Sequence, residues 1–271
     1  MTRRGGSRTL PWVVLVVAVG LYVGWAVAPA SALYARVLTP SRLLALASVL
    51  KLVYLLGGAA WAFACRDRLE VDNPARPAWF LLSLGLLSNF AGQLALAPFQ
   101  VVRAETPFPS MADVFFVLSY PFLIASLLVF LKAYRETGFP IGSLGERAAI
   151  LAGVGVIAVV VAVPILRPVV AVGGPLLGRV LTVAYPVLDL ILLLPLALLL
   201  RVALRLGGSH AGEVWALLLG GFLFLCAGDA CFAYVQSLGE QHVDPFLHAT
   251  FILAYGLVAG GAHRQLQLLK S

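Results

Sequence analysis

The chain predicts an all-α membrane protein that crosses the bilayer eight times, and three observations carry that prediction. Of its 271 residues, 61% are hydrophobic and 11% charged; soluble domains hold roughly 45–50% and about 25%. The apolar residues run along the whole length, so residues 1–271 read as one membrane domain with no separate folded unit beside it. Eight stretches approach the roughly 20 apolar residues that a spanning helix needs: 11–34, 42–64, 78–98, 113–131, 148–166, 180–200, 214–236 and 246–262. Finally, the nineteen Lys and Arg residues are unevenly placed. Thirteen fall on the side of the termini and the even-numbered links, five on the other, and Lys51 lies within a span. Basic residues mark the cytoplasmic side, so both termini are expected inside.

The first stretch follows Arg3, Arg4 and Arg8 and ends near Ala30-Ser31-Ala32, a pattern shared with cleavable signal peptides. Its apolar run is longer than the usual core of about 7–15 residues, so retention is expected. Cleavage would leave seven helices with the C-terminus still inside. The second stretch carries Lys51, and the sixth Asp189, each about nine residues (~13 Å) from the outer surface. The third carries Asn89 and Gln93, and the seventh Asp229, about seven residues (~10 Å) from its outer end. The fourth starts after the turn-forming PFPS at 107–110, with Ser110 suited to cap it. Asp113 then stands in the first turn, where the helix dipole favours an acid, and Tyr120 lies deeper. His248 and Tyr255 hold the matching places in the eighth. The fifth contains Gly153-Val154-Gly155, which reads as a packing surface for a neighbouring helix. All links are short, and the longest, 132–147, is polar and turn-rich.

An internal repeat connects these positions. LLSLGLLSNFAGQLALAPFQ (81–100) aligns without a gap to LLLGGFLFLCAGDACFAYVQ (217–236), pairing Gly85 with Gly221, Gly92 with Gly228 and Gln100 with Gln236. Beyond it Asp113 falls opposite His248 and Tyr120 opposite Tyr255. An offset of four spans preserves direction, so residues 1–137 and 138–271 are expected to be parallel repeats about an axis along the membrane normal.

Lys51, Asp189 and Asp229 would together cost about 8–10 kcal/mol if left charged and unpaired in the bilayer. In one alternative Lys51 pairs with Asp189 or Asp229, and amides and tyrosines bond helix to helix. In the other, Lys51, Asn89, Gln93, Asp113, Tyr120, Asp189, Asp229, His248 and Tyr255 line an outward-facing cavity for a small molecule or lipid. The shared depth favours the cavity. No two histidines share a depth on adjacent spans as a transmembrane haem requires, and no metal set, nucleophile with a base or phosphate loop is found. No cofactor, metal or catalytic residue is therefore expected. Cys65, Cys226 and Cys231 read as small packing residues. The net charge of +7 belongs to topology and to anionic headgroups, not to nucleic acid.

Three motifs carry a resemblance: PSMADVFFVLSYP (109–121), AYPVLDLILLL (184–194) and AGDACFAY (227–234). Together they resemble the multi-helix membrane sensory region found N-terminal to bacterial GGDEF-type diguanylate cyclases and histidine kinases. The resemblance implies a module that perceives a membrane or extracytoplasmic cue and relays a conformational change inward, with Asp113, Tyr120, Asp189 and Asp229 at positions typical of the pattern. Gln93 departs from it, standing where an acid is frequent, and the sequence ends at AHRQLQLLKS without a cyclase or kinase domain. The expected function is signal input in a bacterial inner membrane, embedded in the lipid bilayer, with a cytoplasmic kinase or cyclase as partner and a homodimer as a compatible assembly. Tyr120-Pro121 and Tyr185-Pro186 are the expected bend points, since Pro removes a helix hydrogen bond. The alternatives are a small transporter or permease using the same charges for coupling and, third, an intramembrane enzyme acting on lipid.

Overall fold

The structure is a computed structural model, and it describes residues 15, 17–20, 22–24, 39–103, 106–138, 142–171, 175–206, 208–237 and 245–270. These are 88% helical and include no strand. Among the described residues from Pro40 onward, seven helices follow one another: α1 (Pro40–Arg68), α2 (Arg76–Val102), α3 (Met111–Glu136), α4 (Leu144–Ala171), α5 (Leu176–Arg205), α6 (His210–Ser237) and α7 (Pro245–Leu268). They occupy the second to eighth expected stretches. Most of the first stretch, with Ala30-Ser31-Ala32, Arg3, Arg4, Arg8 and Arg36, lies outside the described residues. Its described part is helical, and Tyr22 there packs with Ala47 of α1 and Ile252 of α7.

Among the described residues five helices, α1, α2, α3, α5 and α6, are long and apolar enough to cross a membrane, at 26 to 30 residues each. Their apolar windows are only 33–50% buried within the protein. The remaining apolar surface, such as Val49, Val53 and Leu56 on α1 or Leu223 and Phe224 on α6, points out of the bundle. Water would not tolerate so extensive an apolar surface, whereas lipid requires it. The chain is accordingly a membrane protein. The helices also outrun the stretches read from hydropathy, because their backbones continue into charged ends such as Arg66 and Arg68 of α1.

Local sequence explains the helix starts. Thr39 caps α1 with Pro at its first position, where no amide donor is needed. Ser110 begins α3 with a capping box: its hydroxyl serves the helix amides and Asp113 reaches back to its backbone N–H at 2.6 Å. Pro121 lies inside α3, and Pro186 and Pro195 inside α5, each within a helix that continues past it.

Helix contacts are close because small residues face neighbours. A Cβ on Gly85 would stand 2.5 Å from Leu123 of α3, and one on Gly92 would stand 2.6 Å from Phe116. On α6, Gly221 meets Val258 of α7 at 2.6 Å and Gly228 meets Phe251 at 3.0 Å. Gly153 and Gly155 correct the sequence reading: among the described residues nothing lies within 4 Å of a Cβ at either, so they form no packing surface there. Helix α7 packs on both α6 and α1 and so ties the last helices to the first.

The two ends of the bundle differ. At the end where α3 finishes and α6 begins, the interior is apolar and aromatic, with Phe130 held edge-on between Trp79 (5.2 Å) and Trp215 (5.1 Å). Basic residues collect outside that core. Arg264 donates to Glu213 at 2.6 and 2.8 Å and to His210 Nδ1 at 2.8 Å, and Arg201 pairs with Glu146 at 2.6 Å. The Ser143 backbone N–H, followed by Arg201, holds the Glu146 carboxyl down at about 2. The opposite end is polar inside.

Candidate functional site

At that opposite end the first half of α1, the second half of α2, the starts of α3, α5 and α7 and the end of α6 surround a cavity of about 80 Å³. At about 10–15 Å³ per water, it holds roughly half a dozen waters or a small polar solute. Lys51, Asn89, Gln93, Asp113, Tyr120, Asp229, His248 and Tyr255 all line it. Eight of the nine residues singled out in the sequence are thus brought together. The ninth, Asp189, is absent from the wall and stands one hydrogen bond behind it.

Tyr120 is the link. Its hydroxyl oxygen lies 2.9 Å from Asp189 Oδ1 and 2.8 Å from Asp229 Oδ2, joining α3, α5 and α6. A phenol has one proton and donates to one acceptor at a time. A bond on both sides therefore needs a second proton, held by the carboxyl pair. Asp189 is 4% exposed, and its Oδ2 has no hydrogen-bond partner among the described residues, with the Cys226 thiol beside the carboxyl. Asp229 is half-buried, where it opens on the cavity.

Asp113 is held from two directions. Ser110 donates to Oδ2 through its backbone N–H, and Tyr185 of α5 donates to Oδ1 at 2.7 Å. Tyr185 also lines the cavity and packs 6.4 Å from the Tyr120 ring. Across the cavity Lys51 Nζ lies 3.2 Å from His248 Nδ1. The alternative in which Lys51 pairs with Asp189 or Asp229 is therefore corrected: both acids are turned to Tyr120, and Lys51 meets an imidazole.

A third group was not legible in advance. Gln100, 1% exposed, accepts from Ser48 at 2.5 Å and Gln93 at 2.9 Å and donates to Thr106 at 3.3 Å. Its place at the end of an apolar stretch reads as a solvated terminus, and only its match to Gln236 in the repeat singles it out. Asn89 donates back to the Gly85 carbonyl at 3.2 Å, so its amide nitrogen is turned to its own helix. Phe108, Phe116, Phe232 and Phe251 supply apolar wall between the polar groups. No group of His, Cys, Asp and Glu suited to a metal is found among the described residues.

A pocket of this kind, in a helical membrane bundle, can bind a small polar solute, exchange a proton or do both. Comparison of the chain with protein-family models, curated proteins and solved structures finds no match in any of the three.

Proposed function

We propose that this chain is a membrane-embedded signal-input module whose polar cavity receives a small solute. In this reading it has eight spans, both termini in the cytoplasm of a bacterium, and the cavity opening to the exterior. The observation that carries it is the convergence of Lys51, Asp113, Tyr120, Asp229 and His248, from four helices, on one cavity away from the basic end. A scaffold alone has no need to keep so many ionisable groups around open space in a bilayer. The basic residues around Arg66, Arg201 and Arg264 support the cytoplasmic assignment of the other end. The motifs at 109–121, 184–194 and 227–234 supply the resemblance to sensory regions, and a cytoplasmic kinase or cyclase is the proposed recipient of the signal.

Two-fold repetition fits the contacts. Helix α1 reaches the first turn of α7 through Lys51 and His248, and α5 reaches the first turn of α3 through Tyr185 and Asp113. The glycine contacts repeat likewise, Gly85 with Leu123 and Gly92 with Phe116 against Gly221 with Val258 and Gly228 with Phe251. We read these as two halves exchanged about an axis through the cavity, so that one solute touches both halves and its arrival changes their relative position.

Transport is the second reading, favoured by the Tyr120 hydroxyl bridging two carboxyls that share a further proton, an arrangement suited to proton coupling. Proteoliposomes with an entrapped pH dye and an imposed pH gradient separate the two. Signal input predicts that the wild type and Asp229→Asn insert equally and both leak protons no faster than empty vesicles. A proton flux that requires Asp229 would replace the sensor with a transporter.

A further inference from the structure

The cavity wall tells what kind of group it accepts. Lys51 is 3% exposed, and an ammonium carries three donors and no acceptor. Its one hydrogen-bond partner among the described residues is His248 Nδ1, and no carboxylate there lies within ion-pairing distance of it. The ammonium can only donate, so Nδ1 accepts, and the proton of a neutral imidazole is then on Nε2. His248 is itself 3% exposed, lines the cavity, and its Nε2 has no hydrogen-bond partner among the described residues. Two ammonium N–H groups and one imidazole N–H are therefore without a partner among the described residues at one wall.

None of the acceptors nearby is turned to this wall. Asp113 accepts from Ser110 and Tyr185, Asp229 Oδ2 from Tyr120 and the Gln100 carbonyl from Ser48 and Gln93, and none of them bonds Lys51 or His248. A cationic solute would meet an uncompensated positive charge at this wall, and a neutral one would leave it uncompensated. An anionic oxygen group answers all three donors at once, and charge-assisted bonds are the strong ones.

We propose that Lys51 and His248 form the subsite for an anionic oxygen group, a carboxylate or comparable oxyanion, on the solute that the cavity receives. This rests on the cavity being a binding site, as proposed above. The volume of about 80 Å³ suits a small free carboxylate better than a lipid phosphate with its glycerol and chains.

The test uses the full chain in a neutral detergent, stripped of anionic lipid. Its unfolding temperature is followed against sodium acetate at constant ionic strength kept with chloride, with phosphatidylglycerol and tetramethylammonium as separate arms. Acetate should raise the unfolding temperature saturably. Lys51→Met should weaken the response about 10- to 100-fold, the loss of one to two charge-assisted bonds. His248→Phe, which keeps the lysine, should weaken it about 10-fold and serves if Lys51→Met does not fold. A response to phosphatidylglycerol alone that Lys51→Met or His248→Phe removes would keep the subsite and make a lipid its source. An acetate response unchanged in the folded variants overturns the subsite. Saturation by tetramethylammonium with none by acetate also overturns it while sparing the cavity as a binding site; no saturable response to any probe counts against both.

Discussion

Tyr120→Phe should destabilise the protein by about 2–4 kcal/mol, because one hydroxyl holds two carboxyls, one buried and one half-buried. Removing it leaves Asp189 Oδ1 and Asp229 Oδ2 without their partner, and Asp189 Oδ2 already has none among the described residues. An unsatisfied buried polar group costs about 1–3 kcal/mol, and a charged one more. The three residues act as a unit, so their substitutions should not add. Tyr120→Phe combined with Asp229→Asn should cost clearly less than the sum of the two, since the phenylalanine no longer faces two acids. Reversible unfolding in mixed micelles measures both quantities. A Tyr120→Phe loss below about 0.5 kcal/mol would mean that the hydroxyl does not bind the pair together.

Gly221→Ala should be nearly as damaging, by about 1–3 kcal/mol, through backbone and not through charge. The new Cβ would stand 2.7 Å from the Ala254 carbonyl oxygen and 2.9 Å from the Val258 nitrogen, and neither can rotate away. Gly85→Ala meets the Leu123 side chain at 2.5 Å, with the Leu123 nitrogen no closer than 3.4 Å, so a rotamer change relieves much of the clash. Gly155→Ala meets nothing within 4 Å among the described residues and should be neutral or gain a few tenths of a kcal/mol from helix propensity. The same unfolding titration should return the order Gly221 worst, Gly85 intermediate, Gly155 unchanged. Equal costs at Gly221 and Gly155 would contradict the close approach of α6 and α7.

Much of the site was readable because a helix advances by a fixed rise. Counting residues from the ends of each apolar stretch put Lys51, Asn89, Gln93, Tyr120, Asp229 and Tyr255 at one level, and they share one cavity. Counting does not give rotation about the helix axis. In helices that are apolar on nearly every face, hydropathy offers no strong stripe to orient them. That is why Lys51 could be paired on paper with either aspartate, although it faces His248, and why Asp189 could be assigned to a wall that it only supports from behind. Gly153 and Gly155 fail for the same reason: a small residue shows that a neighbour could approach, not that one does. Ser110 and Asp113 succeed because a cap is local chemistry, complete within four residues.

Access to the cavity from the side away from the basic end can be measured directly. Ser119 lines the cavity without holding any of its charged groups, its hydroxyl being turned to the Phe116 carbonyl. Ser119→Cys, made with Cys65, Cys226 and Cys231 replaced by serine, should react in intact cells with a membrane-impermeant, negatively charged thiol reagent. Acetate should slow that reaction. Reaction only after the membrane is permeabilised, or none from either side, would contradict an outward-facing binding cavity and leave a closed polar core.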